Sequence, residues 1–330
     1  MPGEKNVLIA ALPQRGKLPP AVYELISAGK AAAAATGGAV SAVVFGAKAQ
    51  DFARDLGARG VEKVHAVSDA ALDQFVGEAY ASAVAALAKQ EGVGVVLIAA
   101  SVAGRSLAAR LAVLLKAGVA AEICELSGSG GNLSAKRYQY GGNIVAELAF
   151  KSDVKILTVQ PMAFEAAAAQ AGQSAQVVPF AAPAASARTE VASFKADEGG
   201  EIDLGAAERI VSGGRGLGNA EGFKLIRELA QTLGAAVGAS RAVVDAGWIA
   251  YKHQVGLTGR TVHPKLYVAC GISGQIQHLA GMASSANIVA VNTDAACPMM
   301  EIATLAVVGD VYEVLPAVIS EIKRRRGASA

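Results

Sequence analysis

Cysteine is scarce in this sequence, histidine nearly as scarce, and no apolar run is long enough to cross a bilayer. The three cysteines, Cys124, Cys270 and Cys297, form no CxxC pair, and His65, His253, His263 and His278 show no zinc-ligand spacing. A disulfide scaffold and a metal site are both unsupported, and a reducing compartment fits. Aromatics make up 5% of the chain, against 37 glycines. That balance suits tightly packed helix-on-sheet layers better than an aromatic-rich binding surface. Charge of one sign is also lacking, since 30 basic and 28 acidic side chains leave a formal +2. A nucleic-acid binder would show a basic stripe. The one basic run, Lys323-Arg324-Arg325-Arg326, reads as cations at the end of a last helix, where the macrodipole favours them.

The 330 residues suggest two domains, and 53% apolar residues provide ample material for buried sheets. Two apolar stretches invite a membrane reading and fail it: 93–104 is stopped by Arg105, and 31–47 contains Thr, Ser and Gly. Residues 1–6 are polar and 7–12 are too short for a secretory core, so no signal peptide is expected. A soluble, cytoplasmic protein is the expectation.

Short apolar runs alternate with helical periodicity. Strands are expected at 6–12, 39–45, 61–67 and 95–100, and helices at 72–90 and 106–116. Helices between β-branched runs imply a largely parallel sheet covered on both faces. Further strands are expected within 136–150 and at 154–159 and 188–195, with an Ala-rich stretch of undetermined structure at 163–187. The charged, Gly-bearing segment 195–201 is the best domain boundary, giving domains 1–203 and 204–330. The α/β alternation then restarts. A helix carries Phe223, Ile226, Leu229, Ala230 and Leu233 on one face, strands fall at 266–270, 287–291 and 305–308, a helix-like stretch at 275–282, and Pro316 opens the last helix.

In open α/β sheets ligands bind at the carboxyl ends of strands. Three loops there draw notice. Residues 212–218, Ser-Gly-Gly-Arg-Gly-Leu-Gly, read equally as a phosphate-binding turn or a structural one, because the spacing is not G-x-G-x-x-G. Residues 271–278 set Gln275, Gln277 and His278 in the first turns of a helix, a place suited to an electron-rich group. Residues 254–260 show no periodicity, and Ser240 and Arg241 follow a short strand.

The blocks VSGGRGLG, LGAAVGASRAVVDAGW, QVGLTGRTVHPKLYVACGISGQIQHLAGM, IVAVNTD and VVGDVYEVLP occur in that order. Together they closely resemble the C-terminal FAD domain of electron-transfer flavoprotein alpha subunits. The likeness covers 208–320, and extends more weakly to AASVAGRSLAARLAVLLKAG and RYQYGGNIVAEL. It implies two α/β domains, the second of doubly wound type binding FAD, and a heterodimer with a beta subunit contacted by the N-terminal domain. The activity implied is electron shuttling, as in fatty-acid β-oxidation, from dehydrogenases such as acyl-CoA dehydrogenases to an acceptor such as a quinone oxidoreductase. The family's contacts carry over residue by residue. Arg215 and Ser240 match FAD contacts, and Arg241 matches the guanidinium against the isoalloxazine. Val255, Gly256, Leu257 and Thr258 match the loop beside the flavin, with Thr258 the donor near N5. Ser273, Gly274, Gln275, Ile276, Gln277 and His278 match the segment turning around the cofactor, with His278 near the C2 carbonyl. Asn292, Asp310 and Val311 match contacts toward adenosine. Many members have Gln where Leu257 stands and Lys where Arg260 stands, so hydrogen bonding beside the flavin is altered.

A flavin taking one electron gains negative charge over N1 and the C2 carbonyl. A unit charge about 4 Å away is worth about 4 kcal/mol at an effective dielectric of about 20. About 1.4 kcal/mol shifts a one-electron potential by about 59 mV, so such groups move the couple on the order of 100 mV. No catalytic base is called for. Two rivals stay open: the alpha subunit of an NADH-dependent electron-bifurcating complex, and a non-redox nucleotide-binding module.

Overall fold

The computed structural model describes residues 5–142, 144–183, 188–193 and 202–327. Two compact units emerge, Met1–Tyr138 with Val145–Ala196, and Gln139–Ile144 with Asp197–Ala330. The segment 195–201, where a boundary was expected, lies outside the described residues.

In the first unit, β1 (Asn6–Ala11), α1 (Pro20–Thr36), β2 (Val40–Phe45), α2 (Ala49–Ala58), β3 (Lys63–Val67), α3 (Gly77–Gln90), β4 (Val93–Ala99) and α4 (Val102–Leu115) alternate. Then come β5 (Gly118–Ser129), β6 (Asn132–Gln139), β7 (Ile144–Ala149), β8 (Lys155–Val159) and β9 (Gln176–Pro179). They form one nine-stranded sheet in the order β7-β6-β5-β8-β4-β1-β2-β3-β9. Pairing is parallel from β5 through β8 to β9, and β5 meets β6 antiparallel. Alternate strand residues feed different cores: Ile9, Val44 and Leu97 pack on one face, and Leu8, Val43 and Val96 on the other. Helices cover both faces, so β4 is buried at every position. Helix α1 starts on Pro20, whose missing N–H costs nothing there, and stops at Gly37 in the left-handed region.

The second unit runs β10 (Arg209–Gly213), α5 (Phe223–Leu233), β11 (Ala236–Ala239), α6 (Arg241–Asp245), β12 (Leu266–Cys270), α7 (Ile276–Leu279), β13 (Ile288–Asn292), α8 (Pro298–Glu301), β14 (Leu305–Val308) and α9 (Val311–Gly327). Its five strands are all parallel, in the order β11-β10-β12-β13-β14. From β10 the chain goes first to one side and then returns to the other, so the switch point lies between the carboxyl ends of β10 and β12. One face packs on α5 and α9 through Phe223, Ile226, Leu229, Leu315 and Ile319. The other is closed by short elements and loops through Val255, Ile272, Met282, Met299 and Met300.

Three sequence expectations are corrected and one open stretch is filled in. Residues 188–193 form no strand, and 194–195 lie outside the described residues. The described part of 163–187 has no helix and supplies instead the short strand β9, parallel to β3. Pro316 sits inside α9, because Asp310 accepts from the Tyr312 amide at 2.8 Å and starts the helix five residues earlier. The helix expected over 275–282 shrinks to the four residues of α7, followed by turns.

Candidate functional site

Because every strand of the second sheet points the same way, the loops after β10, β11, β12, β13 and β14 leave from one edge. All sixteen carboxyl-end residues singled out in the sequence lie on those loops, at the strand end or helix start bordering them, or on the stretch 254–260, which rejoins the same edge. There Val255 donates its amide to the Ala239 carbonyl at 2.9 Å, placing the loop beside the end of β11.

The loop after β10 is held against the loop after β12. Gly214 donates to the Cys270 carbonyl and Gly216 to the Gly271 carbonyl, both at 2.9 Å. A Cβ on Gly214 would stand 2.4 Å from the Gly271 oxygen, and one on Gly216 2.6 Å from the Gly271 Cα. These two glycines are therefore required by the protein's own packing, and their presence does not by itself indicate phosphate. Arg215 between them is exposed, with no side-chain ion pair or hydrogen bond among the described residues. It is a cation left available at the switch point.

Ser240 precedes α6, its amide donating to the Gly213 carbonyl at 3.0 Å, and its hydroxyl caps nothing. Arg241 follows, exposed and paired with Asp245 at 3.1 Å. An exposed pair one helical turn apart is worth little and yields readily to another partner.

The stretch 255–258 is tied from several sides. Gly256, at φ +142, donates to the Arg260 carbonyl at 3.1 Å, and Leu257 donates to the Gln277 carbonyl at 2.7 Å. Tyr251 donates its hydroxyl to the Thr258 carbonyl at 2.6 Å. Gln254 Nε2 donates to Thr258 Oγ1 at 3.0 Å, which leaves the threonine hydroxyl proton free to donate outward. Val255 is buried, while Leu257 stands exposed.

Residues 273–278 complete the rim. Ser273 accepts from the Met299 amide at 3.1 Å, and Gly274, at φ +83, lies where a Cβ would meet the Met299 nitrogen at 2.4 Å. Gln275, Ile276 and Gln277 face solvent. His278 turns inward and is 6% exposed. Its Nε2 lies 2.9 Å from the Tyr267 hydroxyl, and its Nδ1 has no hydrogen-bond partner. Burial pulls its pKa down to about 4, with the Val255 backbone carbonyl acting the other way. Beside it, burial pushes the Tyr267 phenol far above its ordinary value. The buried Ser212 hydroxyl eases that slightly but makes no hydrogen bond of good geometry.

Asn292 is spoken for: its amide donates to the Ile272 carbonyl at 3.1 Å and its oxygen accepts from Asp294 at 3.1 Å. Asp310 caps α9, and Val311 is buried. At this end of the sheet, backbone groups rather than these side chains are what a ligand would meet.

Sequence reasoning passed over Tyr267, and placed Ser212 and Gln254 in candidate loops without giving either a role. The signal for Tyr267 was present, because a tyrosine inside a continuous apolar strand must find a partner for its hydroxyl.

The site's chemistry suits FAD. A cation stands at the switch point, hydroxyl and amide groups line the rim, and a buried imidazole nitrogen has no well-formed hydrogen bond, an arrangement that costs free energy until an acceptor arrives. Comparison with known proteins agrees. Residues 203–283 match the model of the electron transfer flavoprotein FAD-binding domain, and residues 7–185 match that of the electron transfer flavoprotein domain. The electron transfer flavoprotein subunit alpha of Thermoanaerobacterium thermosaccharolyticum is 39% identical over 97% of this chain and 98% of its own length. That of Bacillus subtilis is 33% identical over 97% and 98%. Protein FixB of Bradyrhizobium diazoefficiens is 34% identical over 97% of this chain and 89% of its own. The chain belongs to the electron-transfer flavoprotein alpha-subunit family.

Proposed function

We propose that this chain is the FAD-holding subunit of a cytoplasmic heterodimeric carrier, passing electrons from dehydrogenases such as acyl-CoA dehydrogenases to an acceptor such as a quinone oxidoreductase. It acts as a carrier and not as a catalyst in its own right. When bound, FAD supplies an isoalloxazine able to take and give single electrons. The chain's residues bind it, orient it and set the field around it.

Arg215 holds the pyrophosphate by a charge-assisted contact. Ser240 adds a hydroxyl, and Arg241 leaves Asp245 to lie against the ring. Val255, Gly256 and Leu257 form the loop beside the ring, and Thr258 donates toward N5 with the proton that Gln254 leaves free. Ser273, Gly274, Gln275, Ile276 and Gln277 turn around the cofactor. Asn292, Asp310 and Val311 meet the adenosine end, chiefly through backbone groups. His278 presents its buried ring to the C2 carbonyl. That imidazole is the observation carrying the reading, since a buried nitrogen with only the Val255 carbonyl near it and no well-formed hydrogen bond costs stability until a better acceptor arrives.

The domain 1–203 contacts the beta subunit and 204–330 holds the cofactor. In support, α4 exposes Val102 at its start and Val113 and Leu114 at its end, apolar side chains that a partner would cover. Coexpression with a beta subunit and anaerobic mixing with an acyl-CoA dehydrogenase and its substrate tests the proposal. Bleaching of the bound flavin's visible absorbance is expected. A colourless heterodimer would contradict it.

A further inference from the structure

Tyr267 is fully buried on β12, in an otherwise apolar core of Ile210, Val255, Ala269 and Met282. Sheet register sets Tyr267 beside Ile210, and Ser212 two residues on projects to the same face. A hydroxyl in such a core weakens packing unless it has a task. Its partner is His278 Nε2, 2.9 Å away, with the rings edge-on at 62°.

Which atom donates is decided by the other ring nitrogen. A neutral imidazole has one N–H and one lone pair. If Nε2 carried the proton, the Nδ1 lone pair would be buried without a donor, on the side where the Val255 carbonyl also lies. Two acceptors would then face each other in a dry core. If the tyrosine hydroxyl donates to Nε2, the proton belongs on Nδ1, and no like poles meet. The Val255 carbonyl favours a proton on the ring, as this arrangement requires. The Val255 carbonyl makes no well-formed bond with Nδ1–H, so an acceptor arriving beside residues 255–258 can take or share that proton.

We infer that Tyr267 is a positioning residue of the flavin site: its hydroxyl donates to Nε2 of His278, locks the ring with its proton on Nδ1, and so presents a fixed donor beneath the loop 255–258. The inference rests on the reading of His278 as the group facing the flavin. Ser212, whose hydroxyl is buried beside the phenol without a hydrogen bond of good geometry, is placed to point its proton at the Tyr267 oxygen and polarise the line toward the cofactor. The residue is invisible to contact-based reasoning, because it would touch no atom of the ligand.

The test uses the FAD-loaded heterodimer, 15N-labelled at histidine, with the His278 signals assigned by their loss in His278→Ala. In the unaltered protein the ring should carry its proton on Nδ1. Tyr267→Phe removes one hydroxyl and should give mixed tautomers, with FAD affinity changed less than about threefold. The ratio of one-electron-reduced to oxidised flavin at a fixed ambient potential should fall about tenfold. The double variant should match His278→Ala alone, since both changes break one line. Fluorotyrosine at 267, a stronger donor of the same shape, should raise the ratio, which keeps the test decisive if the Phe variant packs poorly. If His278→Ala changes the ratio while Tyr267→Phe and fluorotyrosine leave tautomer and ratio alone, Tyr267 merely packs and the inference is wrong. If His278→Ala also leaves the ratio unchanged, the reading of His278 fails and takes the role of Tyr267 with it.

Discussion

The amide of Leu257 donates to the carbonyl of Gln277 at 2.7 Å, joining the loop at 255–258 to the segment that follows β12. Gly256 makes that junction possible. It sits at φ +142, where L side chains rarely go, and a Cβ there would stand 2.8 Å from the Gln277 oxygen. Gly256→Ala should therefore push the two loops apart and cost about 1–3 kcal/mol. Isothermal titration with FAD should show affinity weakened by at least about tenfold, and unchanged affinity would mean the junction is not part of the site.

Arg215 is an exposed cation without a partner among the described residues, and its proposed target is the pyrophosphate. Arg215→Ala should weaken FAD binding by about 1.5–3 kcal/mol. The first one-electron potential should stay where it was, because the proposed target, the pyrophosphate, is remote from the ring. A changed potential with unchanged affinity would relocate the arginine.

His65 supplies a pH dependence in the first unit. It is 1% exposed, neither ring nitrogen makes a hydrogen bond, Nε2 faces the Glu91 carboxylate at 3.9 Å, and Lys63 is nearby. Burial lowers its pKa from 6.5 despite the carboxylate. The folded state thus prefers the neutral ring, while the unfolded chain takes up a proton below about 6.5. Stability should be full above that value and decline as pH falls toward the lowered folded pKa, by at most about 1.4 kcal/mol per pH unit from this group. Thermal melts of the heterodimer at pH 7 and pH 5 should show a smaller loss in His65→Leu than in the unaltered protein. Equal losses would mean that His65 charges in the folded state without cost.

Asp310→Ala tests the start of α9. The carboxylate accepts from the Tyr312 amide at 2.8 Å, and Tyr312 in turn donates to the Leu217 carbonyl at 2.6 Å, tying the helix to the Arg215 loop. Loss of the cap should cost about 0.5–2 kcal/mol in urea denaturation. The same variant should loosen FAD binding slightly, and a stability change near zero would argue that the helix is held by its core contacts alone.

Legibility from the sequence followed the physical strength of each signal. Strands β1, β2, β4 and β12 were plain because both of their faces are buried, which leaves unbroken apolar runs. Strand β9 was hidden, since Gln176-Val177-Val178-Pro179 is short, half exposed and set among alanines that also suit a helix. Pro316 misled because proline is commonest in a helix's first turn, whereas Asp310 had already started this one. At the site, the loops at the carboxyl ends were found by topology and family resemblance. What their glycines do was not readable, since a close approach to phosphate and a close approach to a neighbouring loop demand the same residue. Gly214 and Gly216 serve the second. The partner of His278 was missed for a different reason: eleven residues separate it from Tyr267, and only the fold brings them together.

The central claim, that the C-terminal unit holds the FAD of a one-electron carrier, is tested most directly by anaerobic reductive titration of the purified heterodimer, followed by visible absorbance and electron paramagnetic resonance. The account predicts tightly bound FAD taking up electrons in two separated steps, with the first potential lowered in His278→Ala while most of the FAD binding survives. A heterodimer that binds no FAD, or whose flavin is reduced in a single two-electron step that His278→Ala leaves unmoved, would contradict it.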